Sequence, residues 1–185
     1  MKMNCEIINF KYNYLCSKES DINEHLPTLK QYSENLETVV EFGVRKIVST
    51  WALLAGKPKT LISYDLYNPA IYGADLDEVY FAAKSCGINF EFIKGDTRLV
   101  EIPECDFLFI DTLHEYHQTI AELKRHAHKV RKYIGFHDTV TFCETGESGG
   151  LGICHAIREF LVSNKEWVVK EEFKNNNGLT ILERV

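Results

Sequence analysis

The sequence predicts an α/β fold in which a mostly parallel, doubly wound sheet lies between two layers of helices. Between residues 38 and 136, short apolar runs rich in β-branched and aromatic residues alternate with segments of helical spacing. Such alternation is typical of parallel βαβ units. The last part of the chain differs, because two alternating runs at 166–173 and 179–183 flank the turn sequence NNNG. An Asn-Gly turn between alternating runs predicts an antiparallel hairpin. The length of 185 residues suits one domain.

The first 35 residues are predicted to form a helical cover that precedes the sheet. After a weakly patterned start, Ser20 or Asp21 can cap a short helix, and Pro27 suits the first turn of a second helix that runs toward Tyr32. We therefore divide the single domain into an N-terminal cover, residues 1–35, and a sheet-bearing part, residues 36–185.

The next elements are three strands at 38–42, 61–64 and 90–93, separated by helices at 49–55 and 75–85. Two more strands follow at 106–110 and 132–136, with a long amphipathic helix at 115–130 between them. Together with the hairpin, these elements predict a Rossmann-like three-layer αβα sandwich whose sheet is closed by an antiparallel pair at its C-terminal end.

Acidic and imidazole side chains follow two of the predicted strands. The sequence FIDTLH ends one strand with Asp111 and His114, and IGFHDT ends the next with His137 and Asp138. Ligands of open α/β sheets bind at the carboxyl ends of strands, so these four side chains are expected around one crevice. Two carboxylates suit Mg²⁺, an imidazole suits softer divalent ions, and His114 has the ordinary pKa of a general base. The alternative is that each acid caps the segment after it.

Three earlier strand ends carry residues suited to a nucleotide-like ligand. Gly43 follows the first strand, where a glycine lets a ligand approach the backbone and the next helix offers free N–H groups. Asp65 ends the second strand and can accept hydrogen bonds from ribose hydroxyls. Asp96 ends the third strand, beside the expected position of a base. Each of these residues could equally serve only its own turn.

Charge and composition limit the classes of binding partner and the compartment that we expect. The net charge is −6 and the basic residues are dispersed, so the chain lacks the electrostatic footprint of a nucleic-acid binder. No segment is long and apolar enough to predict a membrane span or a leader, and we expect a cytoplasmic protein. The six cysteines form no CxxC pair and are expected to be reduced. A homo-oligomer is an expectation from size alone.

The order of these signals, over residues 38–184, resembles the class I S-adenosylmethionine-dependent methyltransferases. Within that class, the sequence resembles the metal-dependent O-methyltransferase branch, with the macrolide-sugar and catechol O-methyltransferases and the cephalosporin-hydroxylase-like group. The motifs that carry the resemblance are EFGVR at 41–45 with Ser49 and Thr50, Asp65, Gly95 with Asp96, FIDxxH at 109–114, and FHDT at 136–139.

The resemblance implies that S-adenosylmethionine lies across the first turn. Glu41, Gly43 and Ser49 would then belong to its methionine side, Asp65 to the ribose and Asp96 to the adenine, with Asp111 beside the cofactor. It also implies that Asp111, Asp138 and His137 hold Mg²⁺ or another divalent cation, and that His114 and Asp111 are catalytic, with His114 as the base. The expected reaction is O-methylation of a small-molecule or sugar hydroxyl.

Two other functions compete with this one. Ile47 stands where these families usually have glycine, which favours a non-catalytic binding module that keeps the nucleotide-binding scaffold. A metal-dependent hydrolase would use the Asp and His residues to activate water. A nicotinamide-dependent dehydrogenase ranks last, because the glycine fingerprint is absent. The turn-rich segment 141–152 is expected to be either a lid or a connection.

Overall fold

Seven strands form one sheet. The computed structural model describes residues 5–185, and its strands are β1 (Thr38–Phe42), β2 (Thr60–Asp65), β3 (Asn89–Lys94), β4 (Cys105–Ile110), β5 (Val130–His137), β6 (Trp167–Phe173) and β7 (Leu179–Arg184). Their order across the sheet is β3-β2-β1-β4-β5-β7-β6. The first five strands pair in parallel, whereas β7 is antiparallel to both of its neighbours. The predicted parallel sheet closed by a C-terminal hairpin is confirmed.

In the described part of the chain, six α-helices connect or flank these strands. They are α1 (Glu6–Ser17), α2 (Leu26–Tyr32), α3 (Val48–Ala55), α4 (Leu76–Ser85), α5 (Tyr116–His126) and α6 (Ile153–Ser163). Within residues 5–185, no helix has both the length and the apolar character needed to cross a bilayer.

The helices form two layers because the strands are apolar on both faces. Val39 and Phe107 share one core with α1, α2, α3 and α4, while Val40 and Leu108 share the other with α5 and α6. Successive residues of a strand point to opposite faces, so neighbours in β1 and β4 enter different cores. Every residue of β4 is buried, as expected for a central parallel strand. The predicted three-layer sandwich is confirmed.

Helix ends show where local sequence decides the structure. The side chain of Asp75 accepts a hydrogen bond from the Glu78 N–H at 3.1 Å and so caps α4. The helix predicted over 115–130 was too long, because α5 gives way at Ala127 to a short 3₁₀ turn and β5 already begins at Val130.

In α6, Ile153, Ala156, Ile157 and Phe160 form a buried stripe at helical spacing.

The N-terminal cover joins the core of the sheet. Ile8, Leu26 and Leu29 are buried in the same cluster as the first helical layer. The expected cap at Ser20 or Asp21 was wrong, since the short 3₁₀ helix Asn23–His25 begins without a side-chain cap. Asp21 instead reaches Arg45, 3.3 Å away, beside the crevice at the end of β1. The first four residues of the predicted cover lie outside the described part of the chain.

The expectation that all six cysteines are reduced was wrong. Cys5 pairs with Cys86 and Cys143 with Cys154, each pair at a Cα–Cα distance of 4.7 Å, while Cys16 and Cys105 are free within the described chain. Spacing along the sequence gave no sign of the first pair, because only the packing of α1 beside the end of α4 brings the two residues together. The second pair joins the loop after β5 to the start of α6.

Candidate active site

A crevice of about 640 Å³ opens at the carboxyl ends of the parallel strands. Of the residues that the sequence analysis singled out, six line it: Gly43, Asp65, Asp96, Asp111, His114 and Asp138. They come from the ends of five neighbouring strands, which is where the topology of an open α/β sheet places a ligand site. Glu41, Ser49 and His137 do not line this crevice.

Gly43 permits the tightest contact at the site. It has φ +83°, and a Cβ placed there would lie 1.9 Å from the backbone oxygen of Asp111. Its own N–H donates to the oxygen of Tyr64 at 2.9 Å. The turn after β1 therefore packs directly on the end of β4, and a side chain at this position has no room.

Asp65 holds this turn in shape. Its Oδ2 accepts hydrogen bonds from the backbone N–H groups of Val44 and Arg45 at 2.8 and 3.0 Å, and its Oδ1 accepts one from Tyr67 at 2.8 Å. Arg45 and Ile47 both have positive φ, 44° and 57°, a region that favours glycine. The carboxylate thus stabilises a strained turn, and Asp65 also lines the crevice where the ribose contact is predicted.

Glu41 and Ser49 stand behind the wall of the crevice. Glu41 is 0% exposed and accepts hydrogen bonds from the hydroxyls of Ser49, Thr50 and Ser63 at 2.6, 2.9 and 2.5 Å. Burial raises the pKa of Glu41 to about 7, even though the three donors lower it. The predicted direct contact of these residues with a cofactor does not fit this burial. Their place in the structure is to join β1, β2 and the start of α3.

His114 lies at the centre of an Asp–His cluster made of Asp111, His114, His137 and Asp138. Its Nε2 is 2.9 Å from Asp138 Oδ2 and 3.3 Å from Asp111 Oδ1. Its Nδ1 contacts the carboxylate of Glu147, and its ring stacks on Phe142 with the centroids 4.8 Å apart. The ring is therefore fixed on both nitrogens and on one face.

His137 lies deeper than His114. It is 2% exposed, and its Nδ1 is 3.2 Å from Asp138 Oδ2 and 3.6 Å from Asp111 Oδ1. Its Nε2 has no hydrogen-bond partner among residues 5–185, and its ring meets the edge of His25 at a centroid distance of 5.6 Å. His137 thus supports the two carboxylates from behind.

The Asp–His cluster is charged at neutral pH. Burial lowers the pKa of each imidazole, but hydrogen bonds and attraction from Asp111 and Asp138 outweigh it and raise the pKa values of His114 and His137 to about 10. Burial raises the pKa of each carboxyl, and the two histidines more than reverse that effect, so both carboxyl pKa values are lowered. Two protonated rings accordingly face two ionised acids.

Three members of the cluster could hold a metal ion. Asp111, His114 and Asp138 each offer one ligand atom, and these atoms lie within 4.8 Å of one another. Asp138 Oδ1 is also buried with no partner in the described chain, as expected of an oxygen that awaits a ligand. The donor set suits a divalent cation. His137, the ligand predicted from sequence, is not part of this group of three. Its Nδ1 nevertheless lies 3.6 and 3.2 Å from the same oxygens of Asp111 and Asp138, so both imidazoles are candidate ligands.

The loop at residues 139–152 covers the cluster, and the sequence analysis did not identify its carboxylate. Thr145 and Leu151 form an isolated antiparallel bridge, and the N–H and hydroxyl of Ser148 donate to Glu115 Oε1 at 2.5 and 2.7 Å. These contacts hold Glu147 over His114. The only sequence signal was one acid among turn-forming residues, which is common in loops without a site.

A second buried network beside the crevice was also missed. Glu122 is 0% exposed on α5 and accepts hydrogen bonds from the hydroxyls of Thr97 and Thr112 and from Gln118 Nε2. Burial raises the pKa of Glu122 to about 7, although these donors lower it. An acid one turn after a glutamine on the apolar face of a helix was the available signal. Thr97, Thr112 and Gln118 also line the crevice.

Asp96 lies on the crevice wall in a pair with Arg98. The guanidinium Nε and Nη2 donate to its two carboxylate oxygens at 3.0 and 2.7 Å, and the Arg98 N–H donates to Oδ1 at 2.9 Å. The guanidinium and backbone donors lower the pKa of Asp96. Asp96, the acid predicted for the adenine side, therefore lines the crevice with much of its acceptor capacity already used.

No family model matches the chain, and no curated protein matches it. Solved structures do. A putative caffeoyl-CoA O-methyltransferase from Staphylococcus aureus shares 11% identity, with a TM-score of 0.67 over 98% of this chain and 92% of that one. An S-adenosylhomocysteine-bound methyltransferase of Podospora anserina shares 14%, with a TM-score of 0.63 over 97% and 88%. A Bacillus cereus O-methyltransferase, also in complex with S-adenosylhomocysteine, shares 13%, with a TM-score of 0.62 over 97% and 90%.

These likenesses extend over nearly the whole chain, including the C-terminal hairpin. At such low identity they establish the architecture alone. The chain therefore has the fold of the class I S-adenosylmethionine-dependent methyltransferases.

Proposed function

We propose that the protein is an S-adenosylmethionine-dependent methyltransferase that methylates a hydroxyl of a small molecule or sugar with the help of a divalent cation, Mg²⁺ or another. One observation carries the proposal. One crevice is lined by the turn at Gly43, where no side chain is present, and by Asp111, His114 and Asp138. The ligand atoms of these three residues lie close enough together to bind one metal ion. The fold likeness supports it, since two of the similar structures contain S-adenosylhomocysteine.

The crevice is long enough for the cofactor. Asp111, Gly43, Asp65 and Asp96 end four adjacent strands, β4, β1, β2 and β3. Neighbouring strands lie about 4.8 Å apart, so these ends span roughly 14 Å. This row of four strand ends suits an extended ligand with an amino-acid part at one end and a nucleobase at the other. Bound S-adenosylmethionine would supply a methyl group that is already activated on a sulfonium.

The acidic residues position the acceptor. Asp111 and Asp138 come from adjacent strands and converge on one point beside the turn at Gly43. A divalent cation held by Asp111, His114 and Asp138 would act as a Lewis acid and lower the pKa of a bound hydroxyl. The rigid ends of two buried strands would hold an acceptor in one position beside the cofactor, and such positioning contributes several kcal/mol to a rate.

His114 is the predicted base and also a candidate ligand. Its Nε2 faces both carboxylates, so that nitrogen can bind a cation or take a proton but cannot do both at once. With a pKa of about 10 the ring is protonated in the protein alone, and it accepts a substrate proton only after losing its own. Glu147 at Nδ1 keeps the ring in one orientation throughout.

Calorimetry and a transfer assay test the proposal. S-adenosylhomocysteine should bind at micromolar strength, and a panel of vicinal-hydroxyl compounds should include an acceptor whose methylation stops in chelator and returns with Mg²⁺. Asp111→Asn and Asp138→Asn should abolish transfer, whereas His117→Gln, on the exposed face of α5, should retain it. Binding without transfer for any acceptor would support the non-catalytic module instead. Absence of binding would overturn the proposal.

His114→Gln and His137→Gln separate the two candidate ligand sets. Mn²⁺ affinity, measured by titration in the absence of cofactor, should fall further in the variant that loses a metal ligand than in the variant that loses only a supporting residue, for which about 10- to 100-fold is expected. The geometry favours that loss in His114→Gln. A loss confined to His137→Gln would restore the set predicted from sequence.

A further inference from the structure

The nucleobase end of the crevice lies at the end of β3. This step rests on the proposed function: with the methyl group near Asp111 and the ribose at Asp65, the base continues in the same direction across the sheet, from β2 to β3. The loop after β3 carries Asp96 and Thr97, and both line the crevice. Gln118 faces this loop from α5, with its Nε2 3.0 Å from Thr97 Oγ1.

Both N–H groups of the Gln118 amide are used inside the protein. Nε2 donates to Glu122 Oε1 at 2.7 Å and to Thr97 Oγ1 at 3.0 Å. An amide nitrogen has two hydrogens, so these bonds exhaust its donors. The Oε1 of the same amide has no hydrogen-bond partner in residues 5–185 and is not among the buried unpaired atoms, although the residue is only 6% exposed. Gln118 lines the crevice, so its exposed part borders the space that a ligand would fill.

Glu122 fixes the orientation of this amide when it is ionised, above its pKa of about 7. Rotating the Gln118 amide by half a turn would then place its oxygen 2.7 Å from a carboxylate oxygen, and two acceptors would repel each other. The carboxylate of Glu122 cannot turn away, because the hydroxyls of Thr97 and Thr112 hold it from two different loops. The network therefore presents an acceptor, and not a donor, to the ligand.

The other polar side chains at the β3 end of the crevice have less capacity left to accept hydrogen bonds. The carboxylate of Asp96 already accepts three hydrogen bonds from Arg98. The hydroxyl of Thr97 donates to Glu122 and accepts from Gln118. Gln118 Oε1 is the side-chain acceptor of this group that remains wholly unpaired within the described chain.

We propose that Gln118 selects adenine by accepting a hydrogen bond from its exocyclic amino group, and that Glu122 is the positioning residue that keeps the Gln118 amide oxygen turned toward the ligand. Adenine is set apart from unsubstituted purine and hypoxanthine by this amino donor. A nucleobase without it leaves the amide oxygen buried and unpaired, which is costly in a closed site.

Binding calorimetry with two ligands tests the proposal. The ligands are S-adenosylhomocysteine and its analogue with unsubstituted purine, which lacks only the amino group. The wild-type protein should prefer the adenine ligand by about 10- to 100-fold, the effect of one unpaired buried acceptor. In Gln118→Met, which keeps the length of the side chain, the ratio should fall to about 1–3, with the affinity for the purine ligand little changed.

Three further variants make the outcome specific. Gln31→Met changes the exposed glutamine of α2 and should keep the wild-type ratio. Glu122→Gln offers the Gln118 amide either orientation and should reduce the ratio while the protein remains folded, as checked by circular dichroism. If Asp96→Asn removes the preference and Gln118→Met does not, the contact belongs to Asp96 and the proposal is overturned.

The binding results distinguish a wrong cofactor from a wrong role for Gln118. If neither ligand binds the wild-type protein, the proposed cofactor itself is wrong. If both bind equally well, the cofactor stands and the role of Gln118 is wrong. The wild-type comparison needs no variant, so the result does not depend on whether a substituted protein folds.

Discussion

Gly43 combines a left-handed backbone with the closest approach of two loops at the site. Gly43→Ala should lower the free energy of unfolding by about 2–5 kcal/mol, from the backbone cost and from overlap with Asp111. Gly73→Ala is the matched control, because Gly73 has φ +77° but a Cβ added there would meet no atom of the described chain within 4 Å. The control should cost only about 1–2 kcal/mol. Urea denaturation measures both, and equal losses would contradict the steric role of Asp111.

The paired charges of the Asp–His cluster should make stability depend on pH. The pKa of His114 rises from 6.5 to about 10 on folding, so its stabilisation is complete below pH 6.5 and is lost as pH rises toward 10. In chelator, the free energy of unfolding of the wild-type protein should therefore fall over that range more steeply than that of His114→Gln. His117→Gln should follow the wild type. Parallel curves for wild type and His114→Gln would show that the pair contributes no stability.

Site residues were predictable from sequence where they directly follow a strand. Asp111, His114 and Asp138 follow apolar strands directly, so their convergence followed from the topology alone. Glu147 and Gln118 were not found, because their positions depend on how a loop and a helix pack from outside the sheet. His137 could not be placed in the same way. It is adjacent to Asp138 in sequence, but its side chain is buried in the protein.

At the scale of elements, the 139–152 loop is the part most dependent on a covalent link. The Cys143–Cys154 disulfide closes the segment that holds Glu147 over His114. A loop of this size gains about 2.5–3 kcal/mol from closure in the chain-entropy model. Cys143→Ser should therefore speed amide hydrogen exchange at residues 144–151. Cys5→Ser, which breaks the other disulfide, should leave exchange there unchanged, and equal exchange in all three proteins would contradict this dependence.

The strands of residues 5–185 were all predicted, whereas the helices were predicted less completely, for a physical reason. The bounds of β1 agree with the prediction, 38–42, because a buried β-branched run has clear ends at polar or glycine residues. The helix predicted over 115–130 was too long because its apolar spacing continues into residues that tighten into a 3₁₀ turn. The helix α1 was not predicted, since Ile8 is its only fully buried residue and its apolar face is weak.

For the molecule as a whole, a ligand that bridges several strand ends should stabilise the folded state. At a concentration 100 times its Kd, S-adenosylhomocysteine should add about 2.7 kcal/mol and raise the Tm by about 5–10 °C. Adenosine alone, which lacks the amino-acid part, should give a smaller shift at the same concentration. Differential scanning fluorimetry measures both. No shift at millimolar ligand would argue against the crevice as the cofactor site.

The disulfide between Cys5 and Cys86 closes a covalent ring of 81 positions. The ring encloses α1, α2, β1, α3, β2 and α4. A single protease cut anywhere inside that ring, for instance in the exposed stretch after β2, would leave both fragments attached. Oxidised protein would then run as one nicked band on a denaturing gel, and reductant would split it into two. A cut between the two disulfide-closed rings would release a separate fragment under either condition.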